Sequence, residues 1–225
     1  MDMTMGSTLP AWLTPLAWVF LILAVASVAA IAYDIYGRGR RHARTASELV
    51  WVGSALYLGP FALAAYARHG RTTAGSGVGR VGDRVLSDRV ATLPGGTASA
   101  VAHVIAVPVV IASGLTIAGI QLWVMVLVIT ALAIGLLYAY ERSTGTARAG
   151  GVPVATAIGA AVLTVVVFDI GMVGWMLLLH FNGFMPPATE ASFWLLMQVG
   201  TVLGLVTGYP VVTWLARRNR TAVLA

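Results

Sequence analysis

The stretch VVVFDIGMVGWMLLLH, Val165–His180, decides how this chain is read. It is apolar enough to lie in hydrocarbon. With the residues before it, it is long enough to cross a bilayer, which takes about 20 residues. Yet Asp169 sits near its middle and His180 closes it. An Asp at the centre of an inserting helix costs about 2.5–3.5 kcal/mol. The surrounding Leu, Val and Met absorb that cost for insertion but do not explain why the carboxylate is there. An ionisable side chain at membrane depth by default faces the bundle interior and has a partner.

Helical phase shows what shares its face. At about 100° per residue, Met172, Met176 and His180 all fall within about 60° of Asp169. One stripe therefore reads Asp, Met, Met, His over about 16 Å of helix. Gly171 and Gly174 point elsewhere, where a neighbouring helix can approach closely. Thioether and imidazole are ligands suited to Cu(I), and a carboxylate can relay protons. The alternative is packing: Met fills cores adaptably, Asp169 is a neutral hydrogen-bonded group, and His180 lies at the interface.

The rest of the chain fits a membrane setting. Of 225 residues 59% are hydrophobic and 10% charged, with mean hydropathy +0.87. Soluble domains carry about 25% charge. Cysteine is absent, which excludes disulfides and thiolate metal sites. All 14 basic residues are Arg. They lie between apolar segments rather than on a folded basic face, which favours anionic lipid headgroups as partner over nucleic acid. The N-terminal MDMTMGSTLPAW lacks a basic n-region and is read as leading into a retained span.

Apolar length predicts six spans, at residues 10–33, 49–67, 98–114, 121–140, 152–181 and 193–215, in one domain with a polar loop at 68–96. The third and fourth share one apolar tract, broken at SGLTIAGIQ, Ser113–Gln121. Six crossings put both termini on one side, with ten Arg on that side and four on the other. The positive-inside rule then makes both termini cytoplasmic. GRGRRHAR, directly after the first span, argues locally for the reverse. GVGRVG, Gly77–Gly82, matches a dinucleotide-binding pattern, but that pattern needs a βαβ unit; here it reads as a solvated connector.

The sixth span holds Gly200, Gly204 and Gly208, a small residue every fourth position and a close-packing signature. Met197 and Gln198 precede it, and Gln198 is a candidate partner for Asp169. Tyr209 and Pro210 follow, with Pro210 expected to kink the helix. His103 in the third span reads as a hydrogen-bonded structural residue; paired with His180 it would allow axial haem ligation, a minor alternative. Asp34, His42 and Glu48, at the edge of the first loop, read as solvated.

VFDIGMVGWMLLLHF and FWLLMQVGTVLGLVTGYPVVTWLARR resemble the C-terminal signature of a bacterial membrane-protein family known as domain of unknown function 4396. IAYDIYGRGRR, LYLGPFALAAYARHGR and the central GLTIAG fit the same pattern. The resemblance implies a small polytopic membrane protein without an established activity. It also implies an acidic residue before Gly-Met that is usually Glu and here is Asp169. Gly171, Met172, Gly174, Trp175, His180, Met197, Gln198, Gly200, Gly204, Tyr209 and Pro210 match the family pattern. Some relatives carry a copper-related label, which coincides with the Met and His stripe. Relatives often have a Cys-containing Gly-rich segment before the third span, followed by an acidic residue. Here LPGGTASAVAHVIAVPVV has neither.

The expectation is an all-α bundle of six membrane helices in the bacterial inner membrane. No P-loop, H-E-x-x-H or nucleophile–base pattern is found, so no enzyme is expected. The leading functional reading is transport or handling of a small ion, proton or copper, between the fifth and sixth helices. Asp169 would be its charge-bearing group, and Met172, Met176, His180, Met197 and Gln198 its lining. The other reading is an accessory protein that assembles through its glycine-rich helices, as a homo-oligomer or with a partner.

Overall fold

The computed structural model describes residues 9–42, 44–71, 90–144 and 154–224. The GVGRVG motif lies outside them. Among the described residues there is helix and no strand beyond one isolated bridge, Ile117 to Ile120. Apolar segments in lipid satisfy their backbone internally, and a helix does so within one segment. The elements are α1 (Leu13–Ala32), α2 (Thr45–Leu58), α3 (Pro60–Ala65), α4 (Leu93–Ser113), α5 (Gln121–Thr144), α6 (Val154–Phe181) and α7 (Ala191–Leu224). Single π-turns extend α1 through Tyr33–Gly37 and α3 through Tyr66–Gly70. The chain is thus an all-α bundle with the helices of a membrane protein.

Five of these helices are long and apolar enough to cross a membrane: Leu13–Gly37, Leu93–Ser113, Gln121–Ser143, Ala157–Phe181 and Ala191–Leu215. The turn between α4 and α5 uses Gly114 at φ 64° and Gly119 at φ 75°, left-handed conformations that glycine adopts without strain.

The segment expected to span over 49–67 is helical, but it enters the bundle differently. Gly59 takes φ 53° and ψ −128°, and Pro60 starts a new helix at its first position. The chain reverses there. Trp51 of α2 lies edge-on to Tyr66 beyond α3, with ring centroids 5.6 Å apart. A Cβ on Gly70 would lie 2.5 Å from the Trp51 ring. Both ends of the hairpin meet the C-terminal end of α1. Arg41 and His42 bond Glu48 at its start, and Tyr66 and Arg71 bond Asp34 at its finish. The tip, Gly59, rests on Phe20, about 21 Å back along α1 from Asp34 by the helical rise.

The hairpin therefore returns to the end of the bundle it left. Five helices long and apolar enough to cross then remain. The six expected spans agree with this broadly, the 49–67 segment being the one divided into two short helices. The physical reason is the Gly59–Pro60 pair: Gly59 takes a φ of 53° that no helix contains, and Pro60 is suited to the first position of the next helix.

Two buried clusters join these parts. One fills the space among α4, α5, α6 and α7, with Leu9 and Leu13 packed against it. The other holds the hairpin against the end of α1 and the start of α4. Tyr140 and Leu205 touch both clusters. Within the first, α6 and α7 run antiparallel at close range. A Cβ on Gly171 would lie 2.6 Å from the Leu203 carbonyl oxygen, and one on Gly204 would lie 2.7 Å from the Phe168 ring.

Candidate functional site

Antiparallel packing of α5 and α6 brings Thr130 opposite Asp169. The Thr130 hydroxyl donates to Oδ2 of Asp169 at 2.7 Å. Asp169 is half-buried and borders a small cleft of about 10 Å³, close to the room one water needs. α4 contributes Gly95 and Ser99 to its wall, α5 contributes Ala133, and α6 contributes Thr164, Val165, Phe168 and Asp169. Gly95 and Ala133 make the space because they carry little or no side chain.

His103 lies one helical turn beyond Ser99 on the same face of α4. It is 4% exposed. Its Nδ1 lies 2.8 Å from the Ser99 carbonyl oxygen and 3.5 Å from the Ser99 hydroxyl. A carbonyl only accepts, so Nδ1 carries the hydrogen and Nε2 holds the lone pair. That Nε2 is buried without a hydrogen-bond partner among the described residues.

The predicted stripe divides between two neighbours. Asp169 turns to α5. Met172 and Met176 are 1% and 2% exposed and belong to the core; the Thr201 hydroxyl of α7 points at the Met172 sulfur, 3.5 Å away. Met197 is buried in the same core. His180, at the last turn of α6, lies edge-on to Phe181 with ring centroids 5.2 Å apart. Gln198, the expected partner of Asp169, instead donates to the Leu56 carbonyl at 2.8 Å. Gly200 and Gly204 serve the α6–α7 contact within the chain, Gly208 sits beside Phe168, and Gly174 faces open space. Tyr209 is exposed. Among the described residues no group of three or more His, Asp or Glu is placed to share a metal ion. Sequence reasoning missed Thr130, Ser99 and Thr164, isolated hydroxyls in apolar helices whose depth matches Asp169 only once the helices are paired.

A second polar set closes the hairpin end of the bundle. Asp34 and Glu48 are not solvated there, being 7% and 0% exposed. Arg38, Arg40 and Arg71 converge on Asp34 at 3.3–3.5 Å, and the Tyr66 hydroxyl donates to it at 3.1 Å. Arg41 grips Glu48 through two bonds of 2.7 and 3.0 Å, and the His42 backbone N–H adds a third at 2.9 Å. Burial alone would raise the Glu48 pKa; the Arg41 bonds and the His42 N–H outweigh it, and the group lies below its ordinary value. Asp34 holds the Arg71 guanidinium above its ordinary value. His42 also donates from Nε2 to the Gly70 carbonyl at 2.7 Å, tying the two hairpin ends together.

The family described as domain of unknown function (DUF4396) matches residues 87–220, which take in α4 to α6, most of α7 and the whole Asp169 cleft. The N-terminal segments IAYDIYGRGRR and LYLGPFALAAYARHGR lie before the matched residues. No curated protein and no solved structure matches the chain. With more than half of its length matched and its four cleft-forming and packing helices inside that match, the chain belongs to the DUF4396 family, as an integral membrane protein of all-helical fold.

Proposed function

We propose that this protein handles a small cation through the cleft beside Asp169. The observation that carries the reading is one half-buried carboxylate in the middle of α6, held by a single hydroxyl beside a water-sized space. Such a group can take up and release a positive charge inside the bundle, and its cost at membrane depth suits a functional role.

Copper is the less supported cargo. Cu(I) needs soft ligands converging on one ion, whereas Met172, Met176 and Met197 pack among aliphatic and aromatic side chains. Haem ligation has weaker support again, because His103 is enclosed in the bundle while His180 sits at its rim. The assembly reading loses its original basis, since Gly171, Gly200 and Gly204 are used inside the chain. A homo-oligomer would have to use other surfaces.

The proposal extends to orientation in a bacterial inner membrane. With five crossings, all 14 arginines of the sequence fall on the hairpin end or in segments joined to it. The loops at the other end carry none. The positive-inside rule then favours a cytoplasmic hairpin end and C-terminus, with the start of α1 on the opposite face. It also favours anionic headgroups as partners of that end.

The test is flux in liposomes holding purified protein, with proton, sodium and Cu(I) gradients imposed in turn. Asp169→Asn is expected to abolish the flux of whichever cation moves. Normal flux in that variant would remove Asp169 from the mechanism.

A further inference from the structure

We infer that the hairpin end carries a built site for the phosphate of an anionic phospholipid headgroup, formed by Arg38 and Arg71 around Asp34. The site needs neither the Asp169 cleft nor a particular orientation of the chain.

One carboxylate is shared there among three guanidiniums. Arg38 and Arg71 each reach Oδ1 of Asp34 at 3.3 Å, Arg71 also reaches Oδ2 at 3.3 Å, and Arg40 reaches Oδ2 at 3.5 Å. The Tyr66 hydroxyl takes a further place on Oδ2 at 3.1 Å. A strong Arg–carboxylate bond is about 2.7–2.9 Å long, as the 2.7 Å bond of Arg41 to Glu48 is. Asp34 is therefore oversubscribed, and the ring around it holds more positive than negative charge. A guanidinium has five N–H groups. Among the described residues Arg38 spends one of them on a hydrogen bond and Arg71 two. Their side chains are 54% and 44% exposed, so both cations are open to a second anion.

The spacing suits one phosphate. Nη1 of Arg38 and Nη2 of Arg71 touch the same carboxylate oxygen, so they lie no farther apart than twice 3.3 Å. Two oxygens of a phosphate, each accepting a bond of about 2.9 Å, bridge nitrogens at that distance. An anion there relieves the repulsion among the crowded cations. It also links the end of α1 to the end of the hairpin. Asp34 positions the guanidiniums without neutralising them all.

The surroundings select a lipid as the source of the phosphate. The apolar stretch Leu13–Gly37 ends at the Asp34 ring. Tyr33 continues the stripe of Ile22, about 20° away around the helix, and both side chains are exposed. Tyr at the end of an apolar span marks headgroup depth. The Arg38 guanidinium lies over the Tyr33 ring, 5.7 Å from its centroid, which holds its charge where lipid phosphates lie. Phosphatidylglycerol presents that phosphate without a compensating cation. Phosphatidylcholine brings an ammonium that the arginines repel.

The measurement is native mass spectrometry of full-length protein in neutral detergent, titrated with phosphatidylglycerol, with phosphatidylcholine of the same acyl chains, or with inorganic phosphate. The expected result is preferential binding of phosphatidylglycerol, weakened about tenfold or more in Arg71→Gln and in Arg38→Gln. Arg142→Gln removes an equal charge from an exposed position outside the ring and should change binding little. Arg38→Gln leaves Asp34 with Arg40, Arg71 and Tyr66, and so tests the site even where Arg71→Gln fails to fold. Phosphatidylglycerol should also raise the Tm of the wild type and not that of the two ring variants. Equal weakening in all three variants would overturn the site and leave only diffuse attraction of headgroups to that end. Equal binding of the two lipids would overturn the choice of an anionic headgroup. Inorganic phosphate that binds and excludes phosphatidylglycerol would overturn the lipid source. Flux in Asp169→Asn bears on none of these outcomes.

Discussion

Gln198 of α7 donates its side-chain amide to the backbone carbonyl of Leu56, 142 residues earlier in the chain, at 2.8 Å. The bond answers a need created by the hairpin. α2 ends inside the protein at Gly59, and the last carbonyls of a helix have no partner within it. Gly59 N–H serves Ala55, and Gln198 serves Leu56. Gln198→Met keeps the bulk and removes the donor. It is expected to cost about 1–3 kcal/mol, the penalty of a buried carbonyl left unpaired. A detergent melt should show a lower Tm, and an unchanged Tm would mean that water reaches Leu56.

The α6–α7 seam predicts a graded series. Gly171→Ala drives a methyl against the Leu203 backbone, which cannot step aside. Gly204→Leu meets the Phe168 ring, which can turn in part. Overpacking of this kind costs about 1–3 kcal/mol, with Gly171→Ala the more damaging per atom added. Gly174→Ala faces open space and should be tolerated. Equal melting temperatures for all three would contradict the close approach.

Thr130→Val removes the hydroxyl that donates to Asp169 while keeping the shape. The lost bond is worth about 1 kcal/mol, and flux should fall with it. Thr130→Ser should retain most of both. Loss in the Ser variant with retention in the Val variant would show that the methyl, not the hydroxyl, matters.

Acid should loosen the hairpin end. Glu48 titrates below its ordinary 4.5 in the folded chain because its bonds to Arg41 and His42 outweigh its burial. A depressed carboxylate adds stability above the unfolded value and loses it as pH falls through the folded one. Wild-type Tm should therefore drop on acidification below about 4.5 more steeply than that of Glu48→Gln. Arg41→Ala should lower Tm more than Glu48→Gln does at neutral pH, since it leaves a buried carboxylate without its cation.

Orientation can be read by labelling, helped by the absence of native cysteine. Single cysteines at Arg38, His69 and Asn182 all lie on exposed positions. A membrane-impermeant maleimide should reach the first two from one side and Asn182 from the other. Had the 49–67 segment crossed, positions 38 and 69 would react from opposite sides.

Much of this was legible in the sequence, and the exceptions have a common cause. Composition alone gave an all-helical membrane protein, and Asp169 stood out because a carboxylate in hydrocarbon is costly. The hairpin did not stand out, because residues 49–67 have the length and apolarity of a crossing. The Gly59–Pro60 pair was the local signal for a turn. What decides the matter is pairing between Asp34 and Arg71, 37 residues apart. The same holds for Asp169, whose partner depends on how α5 and α6 align rather than on anything near Asp169 in the chain.

The returning hairpin also bears on how the protein is made. In the orientation proposed above, the arginine-rich segment after α3 need not be carried through the bilayer, because α2 and α3 turn back. In that orientation, what passes to the far side is the approach to α1, the short turn at residues 114–120 and the loop at 182–190, where Glu190 is the sole charged side chain of the two loops. So oriented, the protein asks the insertion machinery to translocate almost no charge, and the arginines of residues 38–44 and 68–89 act as ballast on the side where the chain enters.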